Sequence, residues 1–383
     1  MAMDVENGIR RIHGLDLSKR TFKSCVLTAD RNFEDRTVIP GSMDPEGRMK
    51  FASTLCKTDL VVMEGGTSSY NFARELIEHT DAEVVVLNPS KLHIIFQSQC
   101  KTDKQDCVKL ARYVRDTNRD NWATLKVPTK EETELRSVIN QYDGAVKDRT
   151  KAINRLHAVF NQNGFPLLKK ADLASNEGRL ANITELLDGY AYEVAIVLER
   201  EISNCEVNIG NYMAMIREIV QKRPKELLIW MSIPGIGLMT AASLIAYVGD
   251  GERFSKPAEL RNYIGLVPKI DQSGDRNIVG KVSAYGCKPV RKNIIQGALS
   301  VKNVGAKCSI RDCYFRLQSR GKMSQLIGVG VANKMLTIGH TLLKSGQLYK
   351  DFGNYNMLKR KLREAGLGAV DMSMFPELTQ TAS

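Results

Sequence analysis

Four acidic residues stand where a carboxylate is costly without a partner. Asp103 and Asp106 lie three residues apart in a basic segment of helical character, so they share one helix face and repel each other. Asp16 interrupts the apolar run IHGLDLSK, and Glu64 ends the run LVVME. Clustered carboxylates are neutralised by divalent cations, and Mg²⁺ prefers oxygen ligands and substrate phosphates. The set therefore predicts a site for phosphoryl transfer with two Mg²⁺ ions, for which Mn²⁺ can substitute.

The elements that must position these carboxylates are predicted from hydrophobic patterning. Residues 10–120 predict the order β-β-β-α-β-α-β-α, with Asp16 in the first strand, Glu64 at the end of the fourth, and Asp103 and Asp106 on the last helix. A three-strand meander followed by alternating helices and strands is the order expected of a ribonuclease H-like (RuvC-like) α/β domain. We assign residues 10–125 to this domain.

A long helical segment follows at residues 129–222. Apolar residues recur every 3.6 positions from Ile183 to Ile219, which predicts a long amphipathic helix that Gly189 and Gly210 can interrupt. The pattern fits either a projecting, coiled-coil-like arm or a long core helix. We expect a mostly helical domain at residues 225–350 and a poorly ordered tail at 365–383.

An uncharged stretch at residues 227–249 tests whether the chain crosses a membrane, because 23 residues suffice to span one. Pro234, Gly235 and Gly237 break it, so we favour two short helices joined by a tight turn, and no membrane contact. This element resembles a helix-hairpin-helix, in which Gly235 and Gly237 would let the turn amides hold a DNA phosphate. The alternative is a plain turn in a helical domain.

The positive charge is concentrated in one region. The chain of 383 residues has a formal net charge of +12, and residues 251–350 contain 18 Lys and Arg residues against five acidic ones, a local net charge of +13. A cationic region of this size favours a nucleic acid partner over a merely solvated surface. The eight cysteines form no CxxC pair, and the N-terminus has no signal-peptide pattern, so we expect reduced thiols, no zinc and a cytoplasmic location.

Several motifs together resemble one protein family. In order along the chain they are GLDLSK, VMEGGTSSY, LNPSKLHIIFQSQCKTDKQDCVKLARY, SIPGIGLMTAASLIAYVGD, FSKPAELRNYIGLVPK and GKVSAYGCKPVRKNI. They resemble the insertion-sequence one-ten family of transposases, which is related to the Piv pilin-gene invertases. The resemblance extends over about residues 11–349. Gly65-Gly66 after Glu64, and Ala284 after Ser283, depart from the residues frequent in that family.

The resemblance implies a RuvC-like domain with a DEDD tetrad at Asp16, Glu64, Asp103 and Asp106. It also implies a C-terminal transposase domain with a nucleophilic serine, here Ser283. Family members are understood to act as homo-oligomers, here a dimer or tetramer, on double-stranded DNA, and to be guided by a structured bridge RNA. Without the resemblance Ser283 is one serine among many, and Tyr285 and Cys287 are competing nucleophiles. We assign nucleic-acid contacts to Gly235, Gly237, Lys281, Lys288, Arg291 and Lys292.

Three hypotheses follow for the function. The first is a prokaryotic transposase or site-specific recombinase that cuts and rejoins DNA with Mg²⁺ and Ser283. The second is a RuvC-like nuclease that hydrolyses junctions through metal-activated water, without a covalent intermediate. The third is a non-catalytic DNA-binding protein that uses the helix-hairpin-helix and the basic region.

Overall fold

The computed structural model describes most of the chain in two compact units, Met1–Thr129 and Lys130–Ser383. The sequence predicts an α/β region followed by mostly helical regions, and that coarse division is confirmed. The domain boundaries at 129–222 and 225–350 stay predictions. The described residues are 8–28, 38–66, 68–95, 103–166, 168–169, 171–273, 276–282, 286–305, 307–350 and 355–379, with side chains 93–95, 103–105, 268–282, 377 and 379 outside the description.

The first unit contains six strands and four α-helices. The strands are β1 Arg11–Leu17, β2 Thr21–Thr28, β3 Val38–Ser42, β4 Asp59–Glu64, β5 Glu83–Leu87 and β6 Thr124–Leu125; the helices are α1 Pro45–Ala52, α2 Ser69–His79, α3 Pro89–Ile95 and α4 Asp103–Asp116. The predicted order of elements is found, with an additional helix, α3, before the last one and a short edge strand, β6, after it.

The six strands form one mixed sheet of order β3-β2-β1-β4-β5-β6. Strand β1 pairs antiparallel with β2 and parallel with β4, and β4 pairs parallel with β5.

Each face of this sheet carries its own core. Because side chains alternate along a strand, Ile12 and Val62 lie on the face covered by α4, where Cys107 and Ala111 pack against them. Leu15 and Met63 project to the opposite face, which α2 covers. The central strands are thus buried on both sides, as their unbroken apolar runs predict.

The second unit begins with two antiparallel helices of 33 residues each, α5 Lys130–Gln162 and α7 Gly189–Gln221, joined through α6 Asn176–Leu186. At about 1.5 Å per residue each is roughly 50 Å long. Leu156 and Phe160 of α5 form a small core with Ile183 and Ile202. The start of α5 and the end of α7 join the main core of the unit instead.

The long helix predicted across Ile183–Ile219 is interrupted next to Gly189, one of the two glycines at which an interruption was predicted. Helix α6 ends at Leu186, Leu187 is extended, and Gly189 begins α7 with φ 52°. Gly210 remains inside α7. Apolar residues on both sides of this interruption are buried in the same core.

The uncharged stretch forms two helices, α8 Pro224–Ser232 and α9 Leu238–Val248, separated by the Pro234–Gly237 turn as predicted. The remaining elements are α10 Pro257–Ile264, β7 Pro268–Ser273, β8 Arg276–Val282, α11 Lys288–Ser300, α12 Ser309–Ser319, α13 Ser324–Ser345, α14 Asn356–Glu364 and α15 Pro376–Thr379.

One described helix, α13, is long and apolar enough to cross a bilayer, and 50% of its most apolar 18-residue stretch is buried. It packs against α8 and three other helices. A core helix of a soluble protein meets the same criteria, so α13 is weak evidence for a membrane span.

The C-terminal segment differs from the poorly ordered tail predicted at 365–383. Leu367, Val370, Phe375 and Leu378 are buried in the main core of the second unit. Four apolar side chains within twelve residues supply enough burial to order a terminal segment. Residues 380–383 lie outside the description.

Lys361 ties this C-terminal segment to the end of α8. Its Nζ donates hydrogen bonds to the carbonyl oxygens of Met231 (2.6 Å) and Ile233 (3.0 Å), directly before the Pro234–Gly237 turn. Burial lowers the pKa of Lys361 from 10.5 to about 7. The Lys361 amino group thus supplies donors to carbonyls at the end of α8, and its burial removes its own hydration.

This burial predicts a pH-dependent stability. Between about pH 7 and 10 the unfolded chain holds the Lys361 proton and the folded chain releases it, so stability rises with pH by roughly 1 kcal/mol per unit from this group. Lys361→Met should remove that contribution, measured as the difference between wild-type and variant free energies of unfolding in urea. Lys359→Met, on the same helix, is the control. Parallel wild-type and Lys361→Met profiles would contradict the prediction.

Candidate active site

Asp16 lies near the carboxyl end of β1, on the face that α4 covers. Two residues before it, at Gly14, the backbone of β1 lies close to that of α4. A Cβ atom at Gly14 would overlap the carbonyl oxygen of Cys107 and lie 3.1 Å from the Cβ of Ala111. Because residues two apart share a face, Asp16 projects toward the first turns of α4 and is half-buried there.

Glu64 ends β4 at the same level of the sheet. The parallel register pairs Leu15 with Met63, so Asp16 and Glu64 are the next residues on adjacent strands. Val62 belongs to the core under α4, which places Glu64 on that same face, and its side chain is exposed. The sheet therefore brings two of the four predicted carboxylates to neighbouring positions. Adjacent parallel strands present their ends on one edge, where α/β proteins commonly bind ligands.

Helix α4 begins at Asp103, so both predicted helical aspartates stand in its first turn. The half-buried carboxylate of Asp106 accepts a hydrogen bond from Lys109 Nζ at 3.2 Å. The side chain of Asp103 lies outside the description. Asp16 acts electrostatically on the thiol of Cys107, the residue after Asp106. The start of α4 is thus within electrostatic reach of the end of β1.

The donor set suits a hard divalent cation, since all four predicted ligands offer carboxylate oxygens. Among the described side chains, no group of three His, Cys, Asp or Glu residues is arranged to hold a metal ion. The tetrad therefore stays a prediction. Lys109, which the sequence analysis did not single out, neutralises part of the charge of Asp106.

Two buried thiols lie beneath the carboxylates. Cys25 on β2 and Cys107 on α4 are hydrogen-bonded to each other, and both are free cysteines. The hydrogen bond with Cys25 lowers the pKa of Cys107, although burial and the charge of Asp16 act in the opposite direction. The same hydrogen bond raises the pKa of Cys25. Sequence reasoning missed this pair because 82 positions separate its members.

The contact at Gly14 predicts a strong response to one methyl group. Gly14→Ala should push α4 off the sheet and destabilise the first unit by about 1–3 kcal/mol or more. It should also slow any reaction that uses the first turn of α4. Thermal unfolding checks the first effect, with Gly66→Ala as control, because a Cβ there meets nothing within 4 Å. Equal melting temperatures for the two variants would contradict the prediction.

The second unit holds the predicted DNA-binding turn. Gly235 adopts φ 83°, and a Cβ there would lie 2.5 Å from the carbonyl oxygen of Gly297 in α11. Gly237 caps the start of α9 in open space. The turn therefore packs backbone against backbone on α11, and its free side is the N-terminus of α9. Its match to a helix-hairpin-helix stays a prediction.

Ser283 follows the hairpin of β7 and β8, and lies outside the described residues, as does the side chain of Lys281. Gly286, three residues after Ser283, adopts φ 123°. A Cβ there would lie 2.6 Å from the carbonyl oxygen of Ile264. Next to it, the Cys287 N–H donates to the Tyr263 carbonyl at 3.2 Å. The chain that follows the hairpin is thus held against the end of α10 at Gly286 and Cys287.

The three basic residues predicted to contact nucleic acid on α11 differ in their surroundings. Lys288 is exposed. Arg291 donates from Nη1 to the carbonyl oxygen of Gly265, the C-cap residue of α10, at 3.3 Å. Lys292 forms an ion pair with Asp143 of α5 at 2.9 Å. Arg291 and Lys292 therefore both have contacts within the protein.

Two family models match the chain over these regions. The IS110-type DEDD transposase model matches residues 13–166, and the model described as transposase IS116/IS110/IS902 family matches residues 228–311. The transposase of element IS1111A from Coxiella burnetii is 24% identical over 346 residues, covering 89% of this chain and 91% of that protein. The pilin gene-inverting protein of Moraxella bovis is 23% identical over 352 residues, covering 87% and 96%.

An α/β unit with carboxylates at its strand ends, matched to DEDD transposases, defines an enzyme of DNA recombination. The chain belongs to the IS110/IS116 family of transposases. Membership implies binding to DNA and dependence on a divalent metal. It confirms the resemblance noted from the motifs and argues against a non-catalytic DNA-binding protein.

Proposed function

We propose that the protein is the recombinase of a mobile element, which cuts and rejoins DNA strands by Mg²⁺-dependent transesterification. The observation that carries this proposal is the placement of Asp16 and Glu64 on adjacent strand ends, on the face covered by α4. The α/β unit is then a ribonuclease H-like (RuvC-like) domain with a DEDD tetrad. The sheet order, with a meander beside parallel strands, supports that assignment.

The tetrad residues Asp16, Glu64, Asp103 and Asp106 would hold two Mg²⁺ ions. Bound there, the ions would clamp the attacking and leaving oxygens of the phosphodiester. The chain itself contributes orientation: β1 and β4 hold two carboxylates in register, and the close contact at Gly14 fixes α4 above them. Lys109 would offset part of the negative charge that Asp106 adds to the tetrad.

Ser283 is the proposed nucleophile. Its hydroxyl attacks the phosphorus and forms a 5′-phosphoserine bond; the 3′-oxygen leaves and takes up the serine proton. The reverse attack by a 3′-hydroxyl of the partner strand releases the serine and rejoins the DNA without a nucleotide cofactor. The contacts of Gly286 and Cys287 with the end of α10 support this role, because they fix the chain three and four residues after Ser283.

A recombinase of this kind would have three partners: DNA, a guide RNA and further copies of the same chain. Double-stranded DNA would contact the Pro234–Gly237 turn and the basic region, and a bridge RNA would select the element ends and the target. A homo-oligomer, a dimer or tetramer, would bring the tetrad of one subunit to the serine of another. The enzyme would work in the prokaryotic cytoplasm, where its DNA is found.

The test is a reconstituted reaction. Purified protein is incubated with Mg²⁺, DNA that contains the element ends, a target duplex, and RNA transcribed from the noncoding segment of the element. We expect joined products whose junctions are precise in sequence, and none without RNA or with EDTA. Nicked products with no joined strands would support the junction nuclease and overturn the recombinase. Equal joining without RNA would overturn the proposal that a bridge RNA guides the reaction.

A further inference from the structure

Three arginines from three elements act electrostatically on Cys287, which follows Ser283 by four residues in the chain. Arg136 comes from α5, Arg253 from the loop before α10, and Arg291 from α11. Burial raises the pKa of Cys287, while the Val290 N–H and the charges of all three arginines act in the opposite direction. The three guanidinium groups are therefore within electrostatic reach of one sulfur atom.

Main-chain carbonyls and aromatic rings hold two of these side chains. Arg136 Nε donates to the Ala246 carbonyl at 2.8 Å and lies 4.6 Å from the centroid of the Tyr247 ring. Arg253 Nη2 donates to the Tyr247 carbonyl at 2.6 Å and lies 4.2 Å from the Tyr263 ring centroid. Arg253 also lies 4.5 Å from the centroid of the Phe254 ring. One main-chain carbonyl and at least one aromatic ring thus hold each of these two arginines. A guanidinium has five N–H donors, and the carbonyl contact uses one of them in each arginine.

Two members of this cluster, Arg136 and Arg253, differ from neighbouring basic residues in their ion pairing. Nearby ion pairs join Lys292 to Asp143 and Arg223 to Glu226. For Arg136 and Arg253, the described part of the chain provides no carboxylate partner within ion-pair distance. Asp143 is the acid that acts on Tyr247, and it is already paired with Lys292. Fixed cationic groups without a carboxylate are suited to an external anion.

Capping the end of α9 is the simpler explanation, because Ala246 and Tyr247 belong to its last turn and basic side chains stabilise helix C-termini. That role accounts for one N–H of Arg136 and one of Arg253. It does not account for their convergence with Arg291, whose bonded carbonyl belongs to Gly265 at the end of α10. Nor does it account for their position beside the start of α11, whose amides add positive potential.

We propose that Arg136, Arg253 and Arg291 form a binding site for a backbone phosphate of duplex DNA, near Cys287 at the start of α11. The arginine cluster would position the strand by its phosphate, and the rings of Tyr247 and Tyr263 would keep the guanidinium planes rigid. This site rests on the DNA binding that family membership implies, and it does not depend on Ser283 being the nucleophile.

The salt dependence of DNA binding tests the site, because each phosphate contact adds about 0.9 to the slope of log K against log salt concentration. Dissociation constants are measured on duplex DNA between about 50 and 200 mM salt, in EDTA so that no strand is cut. We expect Arg136→Gln and Arg253→Gln each to weaken binding about tenfold at the lower salt and to reduce the slope by about one.

Matched variants separate binding from helix capping. Arg223→Gln, which breaks the ion pair with Glu226, should leave the slope unchanged. Arg136→Lys retains the charge and loses the planar fork, so it should retain the slope even if the melting temperature falls. A lower melting temperature with an unchanged slope in both Gln variants would overturn the site and leave only the cap. A slope change on RNA but not on duplex DNA would also overturn it. Neither outcome concerns strand exchange, so the proposed recombinase is tested separately.

Discussion

Asp16→Asn is expected to abolish strand cleavage while the protein still folds and binds DNA. The substitution keeps the size of the side chain and removes a negative charge from the carboxyl edge of β1, where Glu64 is its neighbour in register. Loss of a metal-binding carboxylate should slow cleavage by at least about 10³-fold, because the charge of the transition state is then poorly compensated. Single-turnover cleavage of an element-end duplex in Mg²⁺ measures the effect.

Asp120→Asn is the matched control, since Asp120 is an exposed aspartate of the same unit that the tetrad does not include. DNA affinity in EDTA should be the same for wild type, Asp16→Asn and Asp120→Asn. The melting temperatures should differ little, and that of Asp16→Asn can rise because a repulsion is removed. Cleavage by Asp16→Asn at the rate of Asp120→Asn would exclude Asp16 from the catalytic site.

The position of two carboxylates could be predicted from sequence because it needs only strand order and parity. Asp16 and Glu64 each end or interrupt an apolar run, and those runs are the two central parallel strands. Alternation then decides the face on which each side chain projects. The distance from Asp103 to either of them depends on how α4 crosses the sheet, which no local pattern determines.

Helix continuity was harder to predict than helix content. The 3.6-residue period runs in phase from Ile183 to Ile219, yet one helix ends at Leu186 and the next begins at Gly189. Ile183 and Ile202 lie on opposite sides of the break and in the same core against α5. A hydrophobic period therefore reports which residues share a core, and it does not show that one helix joins them. The poorly ordered tail was wrong for a related reason: Phe375 and Leu378 are buried although they lie close to the chain end.

The net charge of a segment does not show how many of its basic side chains are available to a partner. The sequence places a net charge of +13 in residues 251–350, but several of these cations satisfy carbonyl oxygens within the protein. Lys334 Nζ donates to the Ser309 carbonyl at 2.6 Å, and Lys344 Nζ donates to that of Glu252 at 3.2 Å. The basic composition therefore overestimates the surface open to nucleic acid. The cluster that includes Arg136 has a member outside the basic segment, so composition alone could not indicate it.

Ser283→Ala is expected to prevent formation of a covalent protein–DNA complex and to stop strand cleavage, by on the order of 10³-fold or more. The hydroxyl is the group that displaces the 3′-oxygen, and alanine offers no replacement. A duplex with a nick beside the cleavage position traps the complex, because the short leaving fragment dissociates and cannot rejoin. Denaturing electrophoresis then measures the trapped fraction, and mass spectrometry of the digested complex identifies the linked residue.

Tyr285→Phe and Cys287→Ala are the controls, because each removes a competing nucleophile of the same segment. Both should still form the complex, although Cys287→Ala also changes a residue beside the arginine cluster and is expected to lower the rate. An adduct on Tyr285 in the wild type would reassign the nucleophile. Cleavage that continues in Ser283→Ala, with no adduct in the wild type, would favour metal-activated water. The carboxylates would then act as in a junction nuclease, and rejoining would need energy that hydrolysis has already released.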